Sequence, residues 1–343
     1  MEKELIENLE YVPEVNTYWF WAIQLLMLRD SGNYVEWLMN NYVEIIYGDE
    51  ILPQEIYFLN DRVRNKTVEL YNCPFWQMQK IDFDENHLIM GKTIVNFVKE
   101  CINQKKYVLL MVNRLFIKTY GFNEDNLHQI LIHGYNEELG QFYYADNGRN
   151  GKFENKFICT FEELENSFIN SYPFENEPDF STSVFTFFIR KLQEYPVNIL
   201  RIKRMMSSYL NCTSLAEDYY KFSGIKVYQA LIDYYETCLR QNTDINVDVR
   251  GLCTLRDHHN AMRFRLEHLR KQIDVKSEWI KAFEVTTEKS DLAINIMVKY
   301  RIDKRKEHIN RLVDVLKDVY RIEIRVIPDI IETLSLACNS DRE

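Results

Sequence analysis

The sequence has few of the residues that break helices and strands, and its cysteines follow no known pattern. Gly occurs 10 times and Pro 7 times in 343 residues, while apolar residues make up 46% and aromatic residues 14%. This composition excludes disordered and collagen-like chains and is typical of a globular protein rich in long elements. The cysteine count is odd, and no Cys-x-x-Cys occurs among Cys73, Cys101, Cys159, Cys212, Cys238, Cys253 and Cys338. We therefore expect no zinc site, no disulfide framework and a reducing, cytoplasmic location.

Basic residues are fewer than acidic residues. Lys and Arg number 42 against 52 Asp and Glu, for a net charge of −10. Nucleic-acid affinity depends mostly on clustered Lys and Arg, so this balance argues against a nucleic-acid partner. The start of the chain is acidic and lacks the apolar core of a signal peptide. The apolar run at 18–28 has 11 residues, whereas a bilayer span needs about 20. We expect no membrane partner.

The order of sequence patterns predicts an α+β first domain, residues 1–190, and an all-helical second domain, residues 191–343. The predicted helices of the first domain are 16–29, 86–106 and 162–172, with 35–48 either a helix or a helix running into a strand. Its predicted strands are 56–60, 107–117, 128–136, 140–148 and 151–161, which would form a largely antiparallel sheet. After about residue 200, apolar residues recur at three- and four-residue spacing, which is typical of packed helices.

Within the predicted hairpin, LHQILIHGYNEELGQFYYADNG (127–148), two residues point to chemistry. His128 stands at the start of the first strand and Asp146 near the end of the returning strand, so a short turn can bring them together. A carboxylate beside an imidazole fixes its tautomer, as a general base requires. The neighbouring Asn147 is an alternative orienter, since an amide oxygen can do the same. The simpler alternative is that both residues only end their strands.

The pattern H-x-x-x-x-x-G-Y-N…G-x-F-Y-x-x-D resembles the His–Asp hairpin of papain-like cysteine-peptidase folds. More closely, it resembles the butirosin-biosynthesis acyltransferase family of bacterial peptide-antibiotic gene clusters. The strand 107–117 resembles the strand that precedes that hairpin, with Asn113 near a place where the family tends to carry an acidic residue. Segments 222–235, 248–269 and 292–302 resemble the helical extension of stand-alone members. The resemblance implies a papain-like first domain.

The resemblance also implies a reaction. A Cys at the start of the first helix takes an acyl group from the phosphopantetheine thioester of a carrier protein, and a small amine acceptor releases it. The phosphopantetheine belongs to the carrier, so no cofactor of the chain's own and no metal are expected. His128 is the implied base and Asp146 its orienter. Candidate substrate-binding residues are Asn16, Tyr18 and Asn113.

The chain departs from the family where the nucleophile should stand. The segment VPEVNTYWFWAIQLL has no Cys, and the position falls among Asn16, Thr17 and Tyr18. Three hypotheses follow. Thr17 is an oxygen nucleophile activated by His128, although it is an equally good helix cap, as is Asn16. Alternatively, His128 deprotonates an amine that attacks the thioester directly. Finally, the site is inactive and the protein binds a carrier domain, peptide or enzyme as a scaffold. A peptidase or amide hydrolase is a weaker hypothesis.

Other residues offer minor alternatives. Cys73 precedes a proline in a predicted turn and is a substitute nucleophile. His258 and His259 are adjacent, about 100° apart on a helix, and neither has i, i+4 spacing to His268, so we expect no metal there. Asp248 and Arg250 with Arg263 or Arg265 are expected to anchor helices. Alternatively, Arg263 and Arg265 belong to a basic face that binds an acidic carrier protein. The sequence does not indicate an oligomeric state.

Overall fold

The fold was obtained as a computed structural model. It describes residues 2–6, 10–29, 32–48, 54–59, 73–82, 93–149, 151–171, 183–190, 195–213, 222–245 and 247–340. The chain divides into two compact units. The first comprises Met1–Tyr34 and Leu70–Glu194, and the second comprises Val35–Glu69 and Tyr195–Glu343.

The first unit is built on an antiparallel sheet. Its strands are β1 (Glu2–Glu4), β4 (Trp76–Asp82), β5 (Lys106–Asn113), β6 (Leu127–Asn136), β7 (Gln141–Asn147), β8 (Phe153–Thr160) and β9 (Ser183–Ile189). The order is β4-β9-β5-β6-β7-β8, with β1 paired to the end of β6. The helices of this unit are α1 (Trp19–Arg29), α3 (Ile94–Asn103) and α4 (Phe161–Ile169). The predicted α+β class, with a mostly antiparallel sheet in the N-terminal half and helices at the C-terminus, is confirmed.

Local sequence explains the ends of these elements. Gly140 closes the β6–β7 turn with φ +62°, a conformation that glycine adopts without a Cβ penalty. Thr160 and Glu163 form a capping box that starts α4. Thr93 caps α3, and the part of the predicted helix at 86–92 lies outside the described residues. Strand β5 is central, as its apolar sequence predicts, because it pairs with β6 and β9.

One hydrophobic core supports the sheet in the first unit. Alternate residues of β5, β6 and β7 face α3 and α4, and the buried members include Val108, Leu110, Val112, Ile130, Ile132, Phe142, Tyr144, Val98, Ile102, Leu164 and Phe168. This period-two pattern fixes the strand register, because a one-residue slip would move the apolar side chains to the other face. The register in turn fixes where the polar residues at the strand ends lie.

The second unit is mainly helical but contains a small sheet. Its helices are α2 (Tyr34–Met39), which begins at the last residue of the first unit, α5 (Ile199–Asn211), α6 (Lys226–Gln241), α7 (Arg250–Leu269), α8 (Ser277–Asp303) and α9 (Lys306–Ser340). Strands β2 (Glu44–Tyr47) and β3 (Ile56–Leu59) pair antiparallel. Thus 35–48 is the helix-to-strand alternative of the sequence prediction.

Residues 35–69, which the sequence interpretation gave to a domain of 1–190, belong to the second unit. Backbone hydrogen bonds account for this placement: the Tyr47 N–H donates to Phe222 O over 3.0 Å, and the Gly224 N–H donates to Ile45 O over 2.7 Å. A strand that completes its hydrogen bonds with a distant segment cannot be assigned to a domain from local pattern. The second unit is therefore not all-helical, because β2 and β3, which come from residues 35–69, belong to it.

A buried carboxylate connects the helices of the second unit. Glu323 on α9 accepts from Tyr209 over 2.5 Å and from Tyr228 over 2.7 Å, and it lies 2.7 Å from His259 Nε2. Ser290 Oγ lies 3.0 Å from His259 Nδ1. All five side chains are buried. These hydrogen bonds offset the free-energy cost of burying the negative charge of Glu323 away from water.

Arg265 has a structural role rather than the carrier-binding role considered for it. The side chain is fully buried, and it donates to Met39 O over 2.9 Å, to Leu38 O over 3.0 Å and to Asn41 O. Leu38 and Met39 are the last residues of α2 and Asn41 follows it, so these carbonyls lie where a helix leaves its carbonyl groups without partners of their own. Arg265 therefore fastens α7 to the end of α2, and a partner protein cannot reach it. Arg263 is partly exposed and pairs with Glu267 over 3.2 Å.

Asp248 and Arg250 do form a pair, with Nε 2.9 Å from Oδ2, and Arg250 also lies 2.8 Å from Glu55. Neither contact involves Arg263 or Arg265. The Asp248–Arg250 pair is therefore joined to Glu55 and not, as predicted, to either of those arginines. Among the described residues, no helix is both long and apolar enough to cross a membrane.

The buried His258 predicts that acid destabilises the second unit. Burial lowers the pKa of His258 to about 3 from an ordinary value of 6.5. Between these values the unfolded chain takes up a proton that the folded chain does not, so stability should fall as the pH drops below about 6.5. The loss should approach 1.4 kcal/mol per pH unit, as an order of magnitude. Urea unfolding at pH 7.5, 6, 5 and 4.5 measures it.

His258→Phe should flatten this pH dependence while keeping the ring that stacks on Tyr209 at 4.9 Å. His268→Gln is the matched control, because His268 is on the same helix but only partly buried. An unchanged slope in His258→Phe would contradict the prediction.

Candidate functional site

The structure brings His128 and Asp146 into contact. His128 is the second residue of β6 and Asp146 the last but one of β7, and Nδ1 lies 2.8 Å from Oδ1. The His128 side chain is 25% exposed, and that of Asp146 is fully buried. A shift in the β7–β8 register between Tyr144 and Asp146 marks a bulge at this point. Bulges re-aim side chains at the ends of strands.

The surroundings of His128 select one tautomer. Besides Asp146, the carbonyl oxygen of Gln129 lies 3.0 Å from Nδ1. Both neighbours are acceptors, so Nδ1 carries the proton and the neutral ring presents the lone pair at Nε2. Within the described part of the chain, Nε2 has no hydrogen-bond partner. The ring is therefore oriented as a general base requires.

Asp146 is held by three further donors. Tyr120 donates from its hydroxyl to Oδ2, Arg114 Nη2 lies 3.1 Å from the same oxygen, and the Asn147 backbone N–H donates to Oδ1 over 2.7 Å. Burial and the neighbouring carboxylate raise the pKa of Tyr120 far above its ordinary value. The phenol thus stays a donor, and a carboxylate with both oxygens occupied is fixed in place.

Sequence reasoning missed Arg114 and Tyr120. Arg114 directly follows β5 and is buried, and its guanidinium carbon lies 4.9 Å from the Tyr120 ring centre. The only available signal was an arginine at the end of an apolar run, NRLFI. Its partner Asp146 is 32 residues further on, which no local pattern connects to it.

Trp19 is the residue of the first helix whose ring contacts His128. It is the first residue of α1, and the two ring centres are 5.9 Å apart at 73°. The candidates before it make other contacts. Asn16 Nδ2 donates to Pro13 O over 2.7 Å, the Thr17 carbonyl accepts from Asn147 Nδ2 over 3.3 Å, and Tyr18 is buried against Phe20 and Trp21. An indole therefore lies beside the imidazole of His128.

Two amides predicted for the site have structural contacts instead. The Asn147 side chain donates to the Thr17 carbonyl. The carboxylate beside His128 is that of Asp146, to which Asn147 contributes its backbone N–H. Asn113 is buried; its oxygen accepts from the N–H groups of Leu115 and Asn126, and its Nδ2 donates to Asp125 over 2.7 Å. These contacts close the turn after β5.

Cysteines that could replace the missing nucleophile have thiols with raised pKa values. Cys73, the alternative nucleophile, is buried, and burial raises the pKa of its thiol well above the ordinary value. Burial also raises the pKa of Cys101 to about 11 and that of Cys253 to about 11. A thiol nucleophile needs the opposite shift. The same part of the chain holds no cluster of His, Cys, Asp and Glu that could bind a metal ion.

Removing Asp146 should destabilise the first unit strongly. Asp146→Ala leaves Arg114 buried without its carboxylate, and breaking a buried pair costs about 3–5 kcal/mol. His128→Ala should lower the free energy of unfolding far less, because the His128 ring is partly exposed. Urea unfolding of the two variants measures the difference.

The double variant Arg114→Met, Asp146→Leu provides the control, since it removes both charges. It should regain much of the stability lost in Asp146→Ala. Equal losses in Asp146→Ala and His128→Ala would show that the carboxylate does not support the fold.

Comparisons with known proteins give no independent assignment. No family model matches the chain, and no curated protein matches it. The resemblance to butirosin-biosynthesis acyltransferases therefore depends on the quoted residues alone. The oriented imidazole of His128, with Asp146 behind it and Trp19 beside it, is the observation that bears on function.

Proposed function

We propose that the protein transfers an acyl or aminoacyl group from a carrier-protein thioester to an amine, with His128 as general base and no covalent intermediate. The observation that carries the proposal is the Nδ1 contact to Asp146 at 2.8 Å, which leaves Nε2 as the proton acceptor. General bases of this kind contribute typically about 10²–10⁴-fold to rate. The first unit is proposed to be a papain-like domain, supported by an antiparallel sheet that carries the His–Asp pair and by a helix whose first residue faces the histidine.

The proposed step is a direct aminolysis. The amine nitrogen attacks the thioester carbonyl, and its proton passes to Nε2 of His128. The carbon–sulfur bond breaks as the amide forms, and the imidazolium returns the proton to the departing pantetheine thiolate. Asp146 and the Gln129 carbonyl hold the ring in one orientation throughout. The acyl group and the amine are open to experiment.

An oxygen nucleophile is less well supported. Thr17 is buried, and its backbone carbonyl is bonded to Asn147. The ring of Trp19, two residues later, is the helix side chain in contact with His128. A hydroxyl attack would require His128 to contact the threonine Oγ instead. The geometry therefore supports direct aminolysis better than a covalent route through Thr17.

A second candidate function is non-catalytic binding of a carrier domain or enzyme. The observation in its favour is the indole of Trp19 beside His128, while burial raises the pKa of the Cys73 thiol, the alternative nucleophile. This function predicts partner binding that does not depend on the imidazole. The two functions are thus separable with one variant.

His128→Ala should lower product formation at least about 100-fold when the protein is given an acylated carrier protein and a panel of amines. Mass spectrometry follows the amide products. His308→Ala, which removes a histidine from the second unit, is the control and should retain activity. If both variants and wild type turn over equally, His128 is not the base. Carrier binding that survives His128→Ala without any turnover by wild type would favour the binding function.

Thr17→Val distinguishes the two catalytic routes. Direct aminolysis predicts turnover within about tenfold of wild type, since the removed hydroxyl takes no part in the chemistry. Intact-protein mass spectrometry should detect no acylated enzyme in either protein. An acyl adduct on wild type that disappears in Thr17→Val would overturn the direct route in favour of a threonine ester.

A further inference from the structure

The turn between α8 and α9 carries an exposed cluster of positive charge, residues 298–307, which we call the basic corner. Five cationic residues and two carboxylates give it a charge of +3 in a chain of −10. The cationic members are Lys299, Arg301, Lys304, Arg305 and Lys306. Tyr300 alone in this segment is buried. The charge is therefore concentrated on one surface of the second unit.

Little of this charge is used inside the corner. Asp303 accepts from Arg305 Nε over 2.7 Å and lies 3.1 Å from His308 Nε2, so it serves to close the turn. Lys304 lies over the Tyr300 ring at 5.1 Å. Within the described part of the chain, Lys299, Arg301 and Lys304 have no carboxylate within ion-pair distance. Their charges remain available to a partner.

Helix stability accounts for only part of the cluster. Lys299 and Arg301 lie in the last turns of α8, where cations interact favourably with the helix dipole. Lys304 is the C-cap of α8, whereas Arg305 and Lys306 lie at the start of α9, where a cation opposes the helix dipole. Arg305 is compensated by Asp303, and Lys306 donates to Asn242 Oδ1. The charges that a partner could use are therefore mainly those of Lys299, Arg301 and Lys304.

Apolar side chains stand among these charges. Ile302 is 80% exposed, the highest value among the large hydrophobic residues of the described chain, and Val298 is 44% exposed. They are four residues apart, so they share one face of α8. An apolar anchor within a polar rim is the arrangement found at protein interfaces.

We propose that the basic corner docks an acidic protein surface that presents an apolar pocket or stripe to Ile302. Charge complementarity favours an acidic partner, which would also associate faster through steering. A nucleic acid or an anionic membrane is less suited, because the remaining charge of the chain repels a long polyanion and the apolar area is small. The proposal does not depend on the acyl-transfer function, since it concerns a surface of the second unit alone.

The probe is a fluorescently labelled peptide that forms an acidic amphipathic helix, with glutamates flanking a leucine stripe. Fluorescence anisotropy measures its binding to the full-length protein. The triple variant Lys299→Glu, Arg301→Glu, Lys304→Glu should weaken binding at least about tenfold, a change of about 1.4 kcal/mol. Ile302→Ser should weaken it about threefold or more, with little change in salt dependence. A peptide of equal charge without the leucine stripe should bind weakly to all proteins.

The control carries the same charge change elsewhere on the second unit, as Lys226→Glu, Lys271→Glu, Arg325→Glu at exposed positions. It should bind within about threefold of wild type if the corner is specific. Thermal unfolding checks that each variant is folded. Three results would overturn the proposal. They are equal weakening by both triple variants, no binding of the peptide by wild type, and tighter binding to duplex DNA or to phosphatidylserine-containing vesicles than to the peptide.

Discussion

The site depends on one buried negative charge. A carboxylate cannot be removed from water without donors, because its desolvation costs several kcal/mol after relaxation. Asp146 takes those donors from the turn after β5, through Arg114 and Tyr120, and from the end of its own strand. The remaining direction of Oδ1 points to His128. The arrangement thus joins three segments that are distant in the chain and orients a partly exposed imidazole as a consequence.

The second unit also contains a buried carboxylate held by several donors, but its histidine is fully enclosed. Glu323 is also a buried carboxylate with several donors, among them Tyr209, Tyr228 and His259. There every member of the network is buried, and His259 is bonded on both ring nitrogens. His128 differs because its Nε2 has no hydrogen-bond partner among the residues that the structure describes. Exposure of one ring nitrogen, rather than the presence of a His–carboxylate pair, is what separates a candidate base from a structural histidine.

Local sequence predicts the elements well and the contacts between distant segments poorly. Alternation predicted β6 and β7, and the short turn was sufficient to pair His128 with Asp146. Apolar spacing also indicated the long helices after residue 200. Tertiary contacts decided the rest: β2 completes its hydrogen bonds with a segment near Phe222, and Arg114 meets Asp146 only because β5 and β7 flank β6. Helix α1 begins at Trp19, past the three residues considered for the nucleophile, since cap positions are fixed by the fold.

A buried ion pair is weak evidence for stability, since apolar residues of similar volume often replace such a pair without loss. A chain that needed only a stable sheet end would be served equally well by leucine and methionine at the positions of Asp146 and Arg114. What those residues could not supply is the acceptor for His128 Nδ1, and hence the fixed tautomer. The retained charge therefore has its clearest use in an imidazole that must present Nε2. In the proposed aminolysis that nitrogen takes the proton of the amine and returns it to the leaving thiolate. The step therefore needs no enzyme thiol, and His128 has a complete role without one.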